Sequence, residues 1–430
     1  MSTKRVCIVV VGDVGRSPRM QNHAMSLAKH GFTVDIIGYA ESQPRQELLD
    51  DNKINFHYME DVPLFTEYVP RLMAYGLKVM WQACALLFAL TVIQKPKLIL
   101  VQNPPAVPAM AILCLYSAVR SCQIVVDWHN YGHSILSLGL GNDHFVVRIY
   151  KWCEMYFGKK GDSHLCVSKA LQEDLQINHN IKAIHFPDRA PLHFKPIDLR
   201  SKHELLVKLS REYRCFSGET ECSSAFTEEN TDGNISLKPN RPILLISSTS
   251  WTEDEDISLF FSALEMYDNS IKEQREKLPS VICVITGKGP LKEHYAKTVS
   301  VMKFQHVKVC LPWLSAEDYP TLLASADLGV SLHTSSSGLD LPMKVVDMFG
   351  CGLPVLALNF NCIGELVDHG VNGYVFNNKE ELNQQLQGLF KSFPKCPDLD
   401  HFRHSLKEFQ NDRWESKWDE QVKPVFATDT

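Results

Sequence analysis

The chain has 430 residues, enough for two domains that each bury a substantial core. Its 45% hydrophobic and 22% charged residues, with a mean hydropathy of -0.14, exclude a wholly disordered protein. The formal net charge of -6 gives no global basic field, so nucleic acid is not expected as a partner.

The cysteines and the start of the chain indicate the compartment. The 13 cysteines lack CxxC pairs and the regular spacing of a disulfide framework, so we interpret them as reduced thiols. Met1 to Arg5 leads into the apolar segment Val6 to Val11, which is too short for the hydrophobic region of a signal peptide. The sequence therefore predicts a reducing compartment.

The first half of the chain predicts a Rossmann-like domain over residues 1–197. Strand residues Val6 to Val11 are followed by Gly12 and Gly15 and then by the apolar-periodic stretch Met20 to His30. Further strands are predicted at Thr33 to Gly38, Lys97 to Gln102, Gln123 to Trp128 and His164 to Val167. Strands that alternate with helices predict a parallel, doubly wound sheet.

Two loops of this domain carry candidate binding residues. The glycine loop around Asp13, with Arg16 beside it, would let a phosphate or a sugar approach the backbone, although a plain tight turn is the alternative. Asp127, His129 and Asn130 emerge at the carboxyl end of the sheet, where ligands bind. His129 could act as a general base or bind a hydroxyl, and a histidine satisfied by its own loop is the alternative.

The stretch from Leu72 to Ile93 is almost entirely apolar, and its length is near the roughly 20 residues that span a membrane. A true span would divide one sheet between the two sides of the membrane. We therefore expect an interfacial or re-entrant helix, with Lys78 and Lys95 suited to anionic headgroups, and a buried helix is the alternative. Charged substitutions at Leu86 and Leu87 are expected to release the protein from liposomes.

A polar stretch, residues 198–241, is interpreted as a linker with a surface excursion. Residues 242–398 then predict a second α/β domain, with strands at Ile243 to Ser247, Val281 to Thr286, Val307 to Leu311, Leu328 to Leu332 and Val355 to Leu358. The tail, residues 399–430, is helical in composition and carries Trp414 and Trp418 on one face. It could cross back onto the first domain.

The second domain holds candidate phosphate ligands after two of its strands. Gly287 and Lys288 could neutralise a diphosphate, but the spacing is not that of a P-loop. Ser337 and Gly338 lead towards the helix that carries Lys344 and Asp347. Lys344 would contact phosphate and Asp347 ribose hydroxyls, whereas an ion pair between these two, three residues apart, is the alternative.

An Asp-Glu-Asp triplet at positions 254–256 is a candidate metal-binding motif. Thr252 and Glu255 have capping-box spacing, however, and acidic residues suit the first turn of a helix. We therefore interpret the triplet as the start of a helix and predict no metal site.

Several long strings resemble one family, and they span nearly the whole chain: Gly12-Asp-Val-Gly-Arg-Ser-Pro-Arg-Met20, Gln102-Asn-Pro-Pro105, Val126-Asp-Trp-His-Asn-Tyr-Gly132, Ser247-Ser-Thr-Ser-Trp-Thr-Glu-Asp-Glu-Asp256 and His333-Thr-Ser-Ser-Ser-Gly-Leu-Asp-Leu-Pro-Met-Lys-Val-Val-Asp-Met-Phe-Gly350. They are similar to the chitobiosyldiphosphodolichol beta-mannosyltransferases. This family has the GT-B fold, two Rossmann-like domains that face each other across a cleft.

The resemblance implies that mannose passes from GDP-mannose to the 4-hydroxyl of the outer GlcNAc of dolichyl-diphosphate chitobiose, with inversion. It implies Lys288 and Lys344, with amides near Gly338, as the groups that stabilise the leaving diphosphate. The base is either His129 or Asp13. No cofactor is implied beyond the donor substrate.

The resemblance also implies the cytosolic face of the endoplasmic reticulum membrane, with other lipid-linked oligosaccharide mannosyltransferases as possible partners. A catalytically inactive scaffold is the alternative function. Members of the family carry an N-terminal membrane anchor, whereas this sequence begins almost at the first strand, so either the form is shortened or the segment from Leu72 to Ile93 serves instead. The broader GT-B motif of two acids eight positions apart is also altered, because the first acid is Asp340 and the second Asp347.

Overall fold

A computed structural model describes residues 4–63, 68–252, 255–273 and 277–426. The chain divides into two compact units. The first comprises the residues up to Asp188 together with those from Trp414 onwards, and the second comprises Arg189–Arg413. The predicted boundary at residue 197 is thus nine residues too late.

The first unit contains a sheet of seven parallel strands in the order β3-β2-β1-β4-β5-β6-β7. The strands are β1 (Arg5–Asp13), β2 (Thr33–Tyr39), β3 (Ile54–Tyr58), β4 (Leu98–Asn103), β5 (Gln123–Trp128), β6 (Ser163–Cys166) and β7 (Ile184–His185). The doubly wound parallel sheet is confirmed, but β3 and β7 were not predicted.

Seven α-helices lie in the described part of residues 4–188: α1 (Pro18–Lys29), α2 (Gln46–Asp50), α3 (Arg71–Val92), α4 (Ala109–Arg120), α5 (Gly132–Leu140), α6 (Phe145–Gly158) and α7 (Lys169–His179). Strand β1 is buried over six consecutive residues, as expected for a strand covered on both faces. The carboxyl ends of β1, β4 and β5 therefore open side by side onto the loops that carry Asp13 and His129.

The buried His164 makes the stability of the first unit depend on pH. Its Nδ1 accepts a 3.3 Å hydrogen bond from the indole of Trp128, and burial lowers its pKa to about 4. In the unfolded chain the pKa is about 6.5, so between these values the unfolded state binds more protons and stability falls as the pH falls.

We expect the free energy of unfolding to decrease by about 2 kcal/mol through this group between pH 7 and pH 5. Urea unfolding of the wild type and of His164→Gln at both pH values measures the difference. An equal pH dependence in the two proteins would show that His164 does not contribute.

The second unit contains a sheet of six parallel strands in the order β12-β11-β10-β13-β14-β15 and an antiparallel hairpin of β8 and β9. The strands are β8 (Thr227–Glu229), β9 (Ile235–Leu237), β10 (Ile243–Ser248), β11 (Val281–Thr286), β12 (Val307–Cys310), β13 (Leu328–Ser331), β14 (Val355–Leu358) and β15 (Gly373–Phe376). The five predicted strands are confirmed, and β15 was missed.

Seven helices belong to the described part of the second unit: α8 (Leu199–Glu212), α9 (Ile257–Lys272), α10 (Lys292–Val301), α11 (Asp318–Ser325), α12 (Met343–Gly350), α13 (Lys379–Phe390) and α14 (Pro397–Asn411). Two apolar cores cover the two faces of the sheet. Both faces are therefore buried, as the near-continuous apolar strands indicate.

The prediction that residues 198–241 form a linker is wrong. Helix α8 begins at its N-cap Asp198 and buries Leu205, Leu206 and Leu209 in a core of the second unit. Phe216, further along, is fully buried in the same core. These leucines follow helical spacing, and the abundance of polar residues around them concealed the pattern.

The C-terminal segment returns to the first unit through α15 (Trp414–Lys417), a π-helical turn at Trp418–Val422, and α16 (Lys423–Phe426). The indole of Trp414 donates a 3.0 Å hydrogen bond to Ser26 Oγ, and that of Trp418 donates one of 3.0 Å to His23 Nδ1. Both indoles are buried against helix α1. The predicted tail over 399–430 therefore divides at Trp414, because α14 belongs to the second unit.

Candidate functional site

In the second unit, the loops after β10 and β11 touch backbone to backbone. A Cβ atom on Gly287 would lie 1.8 Å from Thr249 O, and one on Gly289 would lie 1.7 Å from Ser250 O. Gly287 also has φ of +136°, which side chains rarely permit. Glycine at these two positions lets the loops meet at the carboxyl end of the sheet, where open α/β sheets bind ligands.

Lys344, at the start of α12, reaches back to this pair of loops. Its Nζ lies 2.6 Å from Glu255 Oε1 and 3.2 Å from Ser250 Oγ. The Glu255 side chain is only 3% exposed and also accepts hydrogen bonds from Ser250 N, at 2.7 Å, and from Thr249 Oγ1. A single carboxylate therefore fixes both the lysine and the loop after β10.

The contacts of Lys344 and of the triplet differ from the predicted ones in two details. The alternative of an ion pair between Lys344 and Asp347 did not anticipate the partner that the structure gives Lys344, which is Glu255. The capping box is also wrong, because Asp256 is the N-cap of α9 and accepts from Ser258 N and Leu259 N. The interpretation of the triplet as a helix start holds for its last residue, and its first residue, Asp254, lies outside the described residues.

The loop after β13 is organised by hydroxyl groups. Ser335 Oγ donates to Asp340 Oδ1 and accepts from Leu339 N at 3.1 Å, and Ser337 Oγ accepts from the same amide at 3.1 Å. Gly338 has φ of +74°, which glycine adopts at no steric cost. The loop is thus folded tightly around serine hydroxyls just before helix α12.

The other predicted donor residues lie around the same edge of the sheet. Lys288 is exposed, and its Nζ stands 3.8 Å from the centre of the Trp313 ring, a cation–π contact. Asp347 lies near the half-buried Tyr319, whose hydroxyl donates to Ser248 Oγ at 2.9 Å. Burial and the nearby Asp347 carboxylate both raise the pKa of Tyr319. Asp347 is therefore placed close to the end of β10.

In the first unit, Asp127 is the centre of a buried charge network. Its two oxygens accept from Arg19 Nε at 2.8 Å and from Arg19 Nη2 at 2.9 Å. The same carboxylate lies 2.9 Å from His129 Nε2 and 3.3 Å from His23 Nε2. Burial opposes ionisation, but the Arg19 guanidinium and His129 hold the pKa of Asp127 well below its usual range.

This network changes the role that we assign to Asp127. We predicted a residue that contacts the acceptor, but its carboxylate is fully buried and holds Arg19 and His129. We assign it instead to positioning of His129, whose side chain is 22% exposed. Because the Asp127 carboxylate contacts Nε2 of His129, Nδ1 is the ring nitrogen that this carboxylate does not contact. A histidine oriented by a buried carboxylate is the arrangement of a general base.

Asn130 helps to shape the same loop. Its Oδ1 accepts a 2.7 Å hydrogen bond from Tyr131 N, and its backbone oxygen accepts from Asn103 Nδ2 at 3.3 Å. Asn103 in turn donates to the buried Glu154 at 2.9 Å, which also accepts from Gly132 N at 2.8 Å. The backbone around His129 is therefore held by side chains from three elements.

Asp13 shapes the glycine loop. Its Oδ1 accepts from Gly15 N and from Ser42 N, both at 3.1 Å, and its side chain is 5% exposed. Arg16 Nε lies 3.5 Å from Asp13 Oδ2. A Cβ atom on Gly15 would lie 2.4 Å from Ser42 O, whereas one on Gly12 would meet nothing within 4 Å. Gly15 is thus required for close packing, and the backbone at Gly12 is open.

Glu255, Ser250 and His333 were not predicted as site residues. Glu255 and Ser250 lie about ninety positions before Lys344, so no local spacing signals their contact. His333 Nε2 lies 3.4 Å from Asp340 Oδ2, and its position directly after a predicted strand was the available signal. Within the described ranges, no group of three or more His, Cys, Asp or Glu side chains could hold a metal ion.

Comparison with known proteins agrees with two Rossmann-like units of this kind. Residues 242–392 match the family described as glycosyl transferases group 1. Anabaena HepE in complex with UDP superposes with a TM-score of 0.65 at 14% identity, covering 99% of this chain and 100% of that one. WaaG, a glycosyltransferase involved in lipopolysaccharide biosynthesis, has a TM-score of 0.65 at 12% identity, with 99% and 100% covered. The fold and the matched domain thus define a GT-B glycosyltransferase.

Curated relatives identify the family. The chitobiosyldiphosphodolichol beta-mannosyltransferase of Mus musculus is 47% identical over 99% of this chain and 89% of its own length. The Homo sapiens protein of the same name is 46% identical, with 99% and 93% covered. The UDP-glycosyltransferase TURAN of Arabidopsis thaliana is 42% identical, with 98% and 97% covered. The chain belongs to the chitobiosyldiphosphodolichol beta-mannosyltransferase family.

Proposed function

We propose that this enzyme is an inverting mannosyltransferase that moves mannose from GDP-mannose to the 4-hydroxyl of the outer GlcNAc of dolichyl-diphosphate chitobiose. The observation that carries the proposal is similarity over nearly the full chain, at 46–47% identity, to mammalian proteins named for this acceptor. Each unit, taken by itself, carries side chains whose chemistry suits one half of this reaction.

The second unit supplies the groups that bind the donor. Lys344 and Lys288 are the cations that stabilise the charge on the departing diphosphate, assisted by the amide of Gly338. Asp347 accepts hydrogen bonds from the ribose hydroxyls. The contact between Lys344 and Glu255, 2.6 Å long, orients the ammonium group before the donor arrives.

The first unit supplies the groups that bind and activate the acceptor. The buried Asp127 orients His129, which takes the proton from the acceptor hydroxyl. Gly12 leaves the backbone open and Gly15 keeps the loop tight, while Arg16 offers an exposed guanidinium to the acceptor diphosphate. Asp13 already accepts two backbone amides, so we assign it to loop structure rather than to proton transfer.

Inversion requires one in-line displacement. The acceptor oxygen attacks C1 of mannose as its proton passes to His129, and the bond from C1 to the diphosphate oxygen breaks. The products are the β-linked trisaccharide lipid and GDP. Because the donor linkage is α, a single displacement gives the β product.

The decisive experiment is a transfer assay with purified protein, GDP-mannose and phytanyl-diphosphate chitobiose. We expect a product that is one hexose heavier and sensitive to β-mannosidase. UDP-glucose is the matched control donor, because one relative is named as a UDP-glycosyltransferase. Transfer from UDP-glucose alone would refute the proposed donor, and absence of transfer by folded protein would refute the proposed activity.

We further propose that the enzyme acts at the cytosolic face of the endoplasmic reticulum membrane through helix α3. Met73–Val92 is long and apolar enough to cross a membrane by length and composition, and 17% of this stretch is buried. Strands β3 and β4 flank the helix and lie in one sheet, so a complete crossing would divide the sheet. An interfacial position satisfies both observations.

Charged substitutions on the exposed side of α3 are expected to weaken membrane binding without loss of stability. Met80 is 64% exposed, so Met80→Glu should reduce sedimentation with anionic liposomes at least about tenfold. Leu86 is fully buried, and the expectation that a charge there would act through the membrane is wrong, since it would disrupt the core. Liposome sedimentation and thermal unfolding of Met80→Glu, Leu87→Glu and Leu86→Glu measure the contrast. Unchanged liposome binding by the first two would refute the interfacial position.

A further inference from the structure

A groove of about 410 Å³ opens on the first unit between α3 and the end of β3 with the two residues that follow it. Trp81, Ala85, Phe88 and Val92 line one wall, and their spacing places them along one stripe of the helix. The indole of Trp81 donates a 3.3 Å hydrogen bond to the backbone oxygen of Glu60, which ties the helix to the opposite wall. The groove is thus built by two segments of the fold.

The groove is accessible and mostly apolar, although His57 and Glu60 are also part of its lining. Phe88 is 70% exposed and Val92 is 61% exposed, although both are large apolar side chains. The volume falls within the range of about 300–1,000 Å³ that is usual for sites of small ligands. Its lining therefore suits a hydrocarbon chain better than a sugar or a nucleotide.

One end of the groove lies near the glycine loop that carries Arg16, because Tyr58 pairs with Gly38 of β2 and the next residue, Tyr39, pairs with Asp13 of β1. Tyr58 lines the groove, and burial together with the charge of Asp13 raises the pKa of its hydroxyl. Arg16 Nε lies 3.5 Å from Asp13 Oδ2, and the Arg16 side chain is 70% exposed. An amphiphile with an anionic head and an apolar tail would complement this arrangement, with its head at Arg16 and its tail in the groove.

We propose that the groove binds the proximal isoprenoid units of the lipid-linked acceptor, with its diphosphate towards Arg16. The inference rests on the proposed function, in which the acceptor is a polyisoprenoid diphosphate. A neutral lipid would gain nothing from the arginine, and a flat bilayer surface would not fill a recess between two segments. The enzyme would then recognise the lipid chain of the acceptor as well as its sugar.

Cys84 provides a direct probe, because this exposed thiol lines the groove. Cys222 is also exposed, belongs to the second unit and serves as the internal control. We expect saturating phytanyl-diphosphate chitobiose to slow alkylation of Cys84 by N-ethylmaleimide at least about fivefold and to leave Cys222 unchanged. Peptide mass spectrometry measures both rates.

The same experiment separates the possible occupants. Chitobiose diphosphate without a lipid chain should give no protection of Cys84. Equal protection by phosphatidylglycerol micelles would overturn the proposal, because the groove would then bind any acyl chain. Equal alkylation with and without the acceptor lipid would overturn it as well.

A variant that fills the groove tests its use in catalysis. Ala85→Phe should raise the KM for phytanyl-diphosphate chitobiose about tenfold and leave kcat and the KM for GDP-mannose unchanged. Val119→Phe, on the exposed surface of α4, is the matched control and should behave as the wild type. An unchanged acceptor KM in Ala85→Phe would refute the groove alone, whereas a wild type that transfers no mannose would refute the proposed function.

Discussion

Replacement of Lys344 by alanine should lower kcat/KM for GDP-mannose by at least about 100-fold, because a preorganised cation at the leaving diphosphate is lost. The same change should reduce the free energy of unfolding by about 2 kcal/mol, since Glu255 would remain buried without its cation. Steady-state kinetics and urea unfolding measure the two effects separately.

A double variant distinguishes the catalytic role from the structural one. Lys344→Met combined with Glu255→Gln removes both charges, while the amide oxygen can still accept from Ser250 N. We expect stability to return to near the wild-type value and activity to remain lost. Recovery of activity together with stability would show that Lys344 serves only the fold.

Replacement of His129 by alanine should lower kcat by about 100-fold to 10,000-fold, the usual effect of removing a general base. Asp13→Asn should lower kcat less than about tenfold, because the amide oxygen can still accept from Gly15 N and Ser42 N. Both measurements use saturating donor and acceptor. A larger loss in Asp13→Asn than in His129→Ala would reverse the assignment of the base.

The pH profile gives an independent test of His129. A base must be deprotonated to act, so kcat should fall on the acid side in the wild type. Asp127 cannot produce this limb, because Arg19 and His129 keep its pKa well below its usual range despite burial. The residual activity of His129→Gln should lack the acid limb, and its persistence would point to another titrating group.

The alternation of strands and helices was predictable because a strand buried on both faces is continuously apolar. Strand β3 escaped prediction because Asn55 and His57 interrupt its apolar residues, and β7 escaped because it has only two residues. Strand β15 has four residues and begins at Gly373, a residue type that is uncommon in strands. Helix α8 escaped because its three buried leucines stand among charged neighbours. Hydrophobic periodicity reveals a helix or strand only when the apolar residues of its buried face are numerous relative to the polar residues around them.

The candidate site was predictable residue by residue but not contact by contact. Gly12 lies at the end of β1, and Gly287 and Lys288 directly follow β11. Lys344 stands at the start of helix α12, and these positions mark the four residues. The partners of Lys344 and Asp127 could not be predicted, because Glu255 lies 89 residues and Arg19 lies 108 residues away along the chain. Such pairs depend on how the strands are ordered in each sheet.

The return of the last residues to the first unit has a consequence for biosynthesis. Residues Arg189–Arg413 form a continuous unit that can fold while the chain is still emerging from the ribosome. The first unit, although translated earlier, is complete only when the indoles of Trp414 and Trp418 cover His23 and Ser26. A premature stop codon shortly before Trp414 would therefore spare the later-made half and leave the earlier-made half incomplete.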